Sequence, residues 1–460
     1  MNKKIYKALE KIVGPKYITD RDTDRQSYAY DATQLQAWPD GVVFPGTTQE
    51  ISEILRLANT YQFPVVPRGA GSGMSGGSVP IWGGWVLVLL RLNRIKTIDS
   101  NNFLTVVEPG VITRDLQQAV EAKGLFYPPD PSSSHFSTLG GNLAECAGGG
   151  RAVKYGVTRD YVLGLEVVLP TGEILKTGVQ TAKGVVGYDL TRLMVGSEGT
   201  LGIITEMVLK LIPRPEASQT ILAFFDRMTL AAQSVVETFR VGILPSTLEF
   251  MDHSSIACVE EFLHLGLPTQ AQALLLFEVD GDQEAVARQG ETIQRLCWQI
   301  GAMGVKKAAT PSEAEELWKA RRAISPALFR LRPNKINEDI VVPREKIPEA
   351  IERFEEIGRR FGLLVVSFGH AGDGNIHVNI MFDGNKPGEK EKAQEALAEI
   401  FKTVLELGGT LSGEHGVGLT KAPFLSLELD PVSLTLMKKI KDLFDPNHIL
   451  NPGKIFPQNP

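Results

Sequence analysis

Cysteine is scarce, with three residues in a chain of 460. Cys146, Cys258 and Cys297 lie far apart, and no C-x-x-C pair occurs. That excludes a zinc ribbon or a cysteine-bound iron–sulfur cluster within the chain. Buried free thiols in a reducing compartment are expected instead. Long apolar runs are also missing. The most apolar stretch, 85–90, is far too short for the roughly 20 residues of a membrane span. The first residues, MNKKIYKALEKIVGPKY, alternate charged and apolar positions at helical spacing and lack the apolar core of a signal peptide. No transmembrane segment is expected. The cytoplasm is the expected location, with contact at the cytoplasmic face of a membrane only through a partner. Positive charge is not in excess, since the net charge is −6. Such a chain carries no electrostatic footprint for nucleic acid and has little attraction to an anionic membrane.

Glycine is what the chain has in quantity, 45 residues, and they cluster rather than spread. The length predicts two or three domains. Residues 1–37 read as an amphipathic helix and a polar lead-in. From Gly41 strands and helices mix: GVVFPG as a strand, a helix begun by the capping box T-T-Q-E at Thr47 with Glu50 three residues on, PVVP as a strand, WVLVLLRLN as a buried strand, LTVVEPGV as another, and a helix over 113–122. YVLGLEVVLPTGEILKT reads as a hairpin turning at Thr171-Gly172, and LGIITEMVLKLIP as a last long strand. Pro213 and Pro215 mark a boundary. Strand-like TILAFFD, LEFMD and ALLLFEVDG follow with helices between them. The tail returns to glycine and proline. The expected division is 1–37, 38–216, 217–408 and 409–460.

One loop reads Pro67-Arg68-Gly69-Ala70-Gly71-Ser72-Gly73-Met74-Ser75-Gly76-Gly77. Gly71-x-Gly73-x-x-Gly76 matches the dinucleotide fingerprint literally, yet Ser78-Val79-Pro80 and a strand follow where that motif needs a helix. The loop still suits an anion, because successive glycines let backbone N–H groups turn inward on a diphosphate. A second segment runs Pro129-Asp130-Pro131-Ser132, then Thr138-Leu139-Gly140-Gly141-Asn142, then Gly148-Gly149. A third is Gly196-Ser197-Glu198-Gly199-Thr200-Leu201-Gly202-Ile203-Ile204. Three such segments suggest one long ligand wrapped by backbone.

These segments resemble the FAD-binding domain of the vanillyl-alcohol oxidase type, and more narrowly the branch of the glycolate oxidase D-subunit and D-lactate dehydrogenase. The resemblance runs from Pro39 to Phe456. It implies an α+β fold: a two-subdomain FAD-binding domain plus a ferredoxin-like α+β cap that takes the substrate, with the C-terminal segment returning to the FAD site. It implies that the first loop holds the FAD diphosphate and that the P-D-P-S, T-L-G-G-N, Gly148-Gly149 and G-S-E-G-T-L-G-I-I segments line the rest of the nucleotide. Pro109 and Gly110, Tyr155 and Gly156, and Asn451 in the tail are further flavin contacts on this basis. The first loop has no histidine or cysteine, so the FAD is expected to be non-covalent.

Histidine is rare, seven in all, and two lie in LLVVSFGHAGDGNIHVNIMF. Asp373-Gly374 is a two-residue hairpin signal. With that tip, His370 stands opposite His377 on one face, with Asn379 on the same face. Two cross-strand imidazoles suit a metal, and Ser412-Gly413-Glu414-His415-Gly416 offers a carboxylate and a further imidazole. In the family resembled, the two histidines of G-H-x-G-D-G-N-x-H and the glutamate of E-H-G bind a divalent metal, which maps onto His370, His377 and Glu414. His415 then sits over the substrate as general base. Two histidines and one carboxylate suit zinc first, with manganese and iron as alternatives.

A substrate carboxylate needs a cation. Thr310 caps a helix that Pro326 is expected to end, with Arg321 and Ser325 four apart on one face. The resemblance places this arginine, the hydroxyl four residues on and a later lysine, Lys335, at the substrate carboxylate, with Asn379 and His415 beside them. The family often has threonine at the position of Ser325. The implied activity is oxidation of a small D-2-hydroxy acid, D-lactate or glycolate, to the 2-oxo acid by hydride transfer to flavin N5. Electrons then pass to an external acceptor such as an iron–sulfur subunit, an electron-transfer flavoprotein or a quinone system. A homodimer is compatible with this reading. D-2-hydroxyglutarate is an alternative substrate, though no extra basic contact for it is evident. A non-redox metal hydrolase and an electron-relay flavoprotein subunit are the rival classes.

Overall fold

The computed structural model describes residues 3–456. The chain forms two compact units. The first takes in the chain up to Gly148, then Val157–Arg214, then the chain from Glu414 onward; the second takes Gly149–Gly156 and Pro215–Gly413. These units divide at 214/215 and 413/414, against the expected 216/217 and 408/409, and the short segment 149–156 goes with the second unit.

In the first unit, strands β1 (Ile18–Thr19), β2 (Gly41–Val43), β3 (Val65–Arg68) and β4 (Trp85–Val88) form a sheet in the order β1-β2-β4-β3, with β2 and β3 both parallel to β4. The N-terminal lead-in is no separate piece. Ile5, Leu9 and Val13 of the helix Lys3–Val13 fall on one face and are buried in the same core as Ile51, Leu55 and Trp85. The expected capping box at Thr47 is half made. Thr47 accepts from the Glu50 N–H, but the Glu50 carboxylate takes the Gly46 N–H at 2.7 Å instead of reaching back to Thr47. A second, antiparallel sheet is built from β5 (Ile95–Asp99), β6 (Leu104–Val107), β8 (Val162–Val168), β9 (Ile174–Gly178) and β10 (Ile203–Lys210), in the order β5-β6-β10-β8-β9. The short pair β7 (Leu125–Phe126) and β11 (Ile212–Pro213) stands apart. The T-L-G-G-N segment is helical, not a loop. Thr138 caps the helix Leu139–Glu145 by accepting from Gly141 N–H, and Leu139 and Leu143, four apart, are buried. Cap and apolar spacing together outweigh the low helix propensity of two glycines.

The second unit is one seven-stranded antiparallel sheet. Its strands are β12 (Ala217–Phe225), β13 (Thr247–Asp252), β14 (Ala273–Gly281), β15 (Gly304–Lys307), β16 (Asn334–Val341), β17 (Leu364–His370) and β18 (Asn375–Phe382), in the order β15-β12-β14-β13-β17-β18-β16. Side chains alternate between faces. The residues Leu222, Met251, Leu274, Leu276, Val366 and Phe368 share a core with Ile256, Val259, Leu317 and Ile324, so the helices His253–Leu263 and Pro311–Ala327 cover one face. Pro326 does not end the latter helix. It sits in the last turn, where its missing N–H removes a single bond, and the helix runs on to Ala327. All three cysteines are free and buried, as expected. Among the described residues no helix is long and apolar enough to cross a membrane.

Candidate functional site

Backbone builds the concave site of the first unit. A cavity of about 320 Å³ is lined by Pro67 to Met74, by Pro109, by Pro131 and Ser132, by Thr138 to Asn142 without Leu139, and by Glu198, Gly199 and Gly202 to Ile204. That volume falls within the range of small-ligand sites. Its walls come from all three glycine segments, and several admit no side chain. A Cβ at Gly69 would lie 2.3 Å from Thr138 Oγ1, and one at Gly140 would lie 2.5 Å from the Pro109 Cβ. Gly71 has φ +71°, and a Cβ there would meet Arg68 Nη2 at 2.1 Å. Arg68 is buried, with Nη1 donating to Tyr30 O at 2.7 Å and to Ser78 Oγ at 3.3 Å. A concave wall of exposed backbone with a guanidinium set into it fits a diphosphate-bearing dinucleotide.

Other expected contacts support the wall without lining it. Asn451 donates its amide to Gly77 O and Glu198 O. Ser75 is buried, and its carbonyl accepts from Leu419 N–H. Gly110 is wedged against the backbone of Leu89 and Leu92. Pro129 accepts a bond from Gln117, and neither it nor Asp130 lines the cavity. Gly148 packs on Glu414. Gly149, Tyr155 and Gly156 belong to the second unit, where the Tyr155 hydroxyl donates to Asp280. The cavity also reaches Glu145, which sequence reasoning did not select, and Glu414 and His415. Glu198 holds that last segment. Its two carboxylate oxygens accept from Val417 and Gly418 N–H, each at 2.7 Å.

Polar chemistry gathers on the helix-covered face of the second unit's sheet. The expected two-residue hairpin tip is wrong by two positions. His370 pairs with Asn375 and His377 with Phe368, leaving 371–374 as a four-residue loop. Gly374 closes it by donating to His370 O at 3.0 Å, and it lies so near β16 that a Cβ would meet Val342 O at 2.0 Å. A slip of two keeps the face of every side chain, whereas a slip of one would invert it. The imidazoles therefore still share a face, as diagonal neighbours with ring centroids 5.2 Å apart. Asn379 is on this face but is fully buried. It accepts from the Asn337 amide and donates to Val366 O and His377 O, so it serves the sheet and is not open to a substrate.

Glu249 was not anticipated. It pairs with His370 across β13 and β17, and its Oε1 lies 2.5 Å from His370 Nδ1. Arg321 Nε donates to the other oxygen at 2.7 Å. The carboxylate is 2 % exposed, so burial alone would raise its pKa; the Arg321 charge, the adjacent His370 and the bonds both donate outweigh that and hold it below the usual carboxylate range. Arg321 also stacks 4.8 Å from the Phe368 ring centroid. Lys335 donates to Ser325 Oγ at 2.7 Å, so the three residues expected at a carboxylate lie on one helix and the neighbouring strand β16. Burial pushes Lys335 down to about 8.

Two family models match the chain: "FAD binding domain" over residues 39–178 and "FAD linked oxidases, C-terminal domain" over 214–455. The chain belongs to the FAD-linked oxidase family. A glycolate oxidase subunit GlcD of Bacillus subtilis is 48% identical over 99% of this chain and 97% of its own length. A D-lactate dehydrogenase of Anaerostipes hadrus is 37% identical over 99% and 98%. Among solved structures, p-cresol methylhydroxylase matches with TM-score 0.81 at 17% identity, over 99% of this chain and 96% of its own. A 4-ethylphenol oxidase from Gulosibacter chungangensis matches at 0.78 and 22%, over 99% and 97%. The fold is thus that of the vanillyl-alcohol oxidase type, and FAD is the cofactor of this FAD-linked oxidase. The glycine-walled cavity of the first unit is compatible with that cofactor in shape and chemistry.

Proposed function

We propose that this FAD-linked oxidase oxidises a small D-2-hydroxy acid, D-lactate or glycolate, to the 2-oxo acid. The observation that carries this reading is the set of side chains on one face of the second unit's sheet. Arg321, Ser325 and Lys335 supply cations and a hydroxyl for a carboxylate, beside a histidine pair suited to an alcohol. The relatives named as glycolate oxidase subunit and D-lactate dehydrogenase, aligned over nearly their whole length, support the same substrates.

FAD, bound without a covalent link by the backbone of Gly69 to Met74 and the other glycine segments, would supply the hydride acceptor. Arg321 has Nε committed to Glu249, which leaves its Nη edge for a substrate carboxylate. Lys335 adds a second charge, fixed by Ser325. The residues proposed to hold a divalent metal are His370, His377 and Glu414, two imidazoles and one carboxylate. A divalent ion held by these residues, zinc first with manganese or iron as alternatives, would supply a Lewis acid for the 2-hydroxyl. His415 accepts the hydroxyl proton. Electrons leave to an external acceptor, an iron–sulfur subunit, an electron-transfer flavoprotein or a quinone system, in the cytoplasm or at its membrane face. Changing His415 to Asn is expected to lower turnover with D-lactate by about 10²–10⁴ while FAD stays bound. Near-normal turnover would remove its role as base.

A further inference from the structure

We propose that Glu249 is a positioning residue that aims two functional groups at once: His370 toward the metal and Arg321 toward the substrate carboxylate. The proposal rests on the metal and substrate reading above and assigns a residue that reading does not use.

Glu249 lies within an apolar strand, between Leu248 and Phe250, on the face that carries His370 and Phe368. Its two oxygens are divided between two partners, His370 Nδ1 at 2.5 Å and Arg321 Nε at 2.7 Å. A carboxylate accepts only, so the proton shared with His370 belongs to Nδ1. The unprotonated ring nitrogen is then Nε2, the one that would ligate a metal ion. In the same way Glu249 takes the Nε edge of Arg321 and leaves the Nη edge, whose two N–H groups match a carboxylate in a fork. Gly150 closes over the pair so tightly that a Cβ there would lie 2.8 Å from Glu249 Oε1. The carboxylate therefore has little freedom to swing away, and Phe368 flanks Arg321 from another side. One rigid side chain fixes a ring tautomer and a guanidinium direction together.

The substitution that separates this from a packing role is Glu249→Gln. Glutamine has the same shape but one accepting oxygen and one donating amide. If the amide faces His370, Nδ1 must accept and the proton moves to Nε2, which can no longer ligate. If the amide faces Arg321, donor meets donor. One of the two contacts is lost in either orientation. The experiment uses the full-length, FAD-bound protein, stripped of metal for the affinity measurement and metal-loaded for the kinetics. It measures Zn²⁺ and Mn²⁺ affinity without substrate by competition with a chromophoric chelator, the KM for D-lactate, and the flavin-to-protein ratio. E249Q is expected to bind the ions about 10–100-fold more weakly or to raise the KM at unchanged metal affinity, with wild-type flavin content. Glu249→Asp, whose shorter arm cannot span both partners, is expected to show the same loss should E249Q fold poorly. Wild-type metal affinity and wild-type KM in both variants would overturn the proposal alone. Wild-type protein that binds neither ion would overturn the metal reading on which it stands.

Discussion

Replacing Gly71 by alanine should weaken FAD binding by roughly two to three and a half orders of magnitude. Two costs combine. Gly71 has φ +71°, and a residue with a side chain pays about 1–2 kcal/mol in that region. The new Cβ would also sit 2.1 Å from Arg68 Nη2. The guanidinium has little room to yield, because it is 7% exposed and tied to Tyr30 O and Ser78 Oγ. Displacing it loses a charged hydrogen bond, about 1.5–3 kcal/mol. The sum is about 2.5–5 kcal/mol if the loop relaxes in the free protein and must be forced back to grip the diphosphate, and each 1.4 kcal/mol is about tenfold. The assay is titration of flavin-free protein with FAD, followed by fluorescence quenching. Gly124→Ala is the control. It has the same φ of +71° with nothing within 4 Å of the added Cβ, and it is outside the cavity lining. It should cost stability through the backbone alone and leave FAD affinity unchanged. G71A with wild-type affinity would refute the reasoning, and equal losses in both variants would show that only fold stability was measured.

Lys335 gives a pH dependence. Burial lowers it from 10.5 to about 8, so its ammonium is present below that pH and lost above it. The kcat/KM for D-lactate should fall as pH rises through about 8, and Lys335→Arg, which keeps its charge, should flatten the profile; an unchanged profile would remove Lys335 from the carboxylate site. Because the folded chain binds this proton less readily than the unfolded chain, the same group makes stability rise with pH between about 8 and 10.5. Glu198→Ala should strand the Val417 and Gly418 N–H groups. At about 1–3 kcal/mol for each buried unsatisfied donor, thermal unfolding of the first unit should move down by several degrees; an unchanged melting curve would show that the tail is held otherwise.

Much of this was legible in the residues because backbone chemistry leaves a plain trace. A wall that admits no Cβ must be glycine, so Gly69, Gly71 and Gly140 announced the cavity. Parity made the histidine pair legible even though its register was not. A tip of four residues and a tip of two put His370 and His377 on the same face, and in the longer tip the Gly374 N–H closes onto His370 O. Asn379 shows the converse. Its face was read correctly, but its burial by Asn337 depends on a strand some forty residues away. Glu249 escaped notice because its partners are distant in sequence. The signal was there, a carboxylate inside the apolar strand LEFMD, where a charge survives only if it is paired. The helix at Leu139–Glu145 was masked by Gly140-Gly141, whose loop preference is overruled by the Thr138 cap and two buried leucines.

The most direct test is the flavin spectrum of the purified protein mixed anaerobically with D-lactate, glycolate and L-lactate. The account predicts bound FAD that is bleached by D-lactate or glycolate and not by L-lactate, with bleaching slowed when the metal is removed. Protein that takes up FAD but keeps its full yellow absorbance with every 2-hydroxy acid would contradict it.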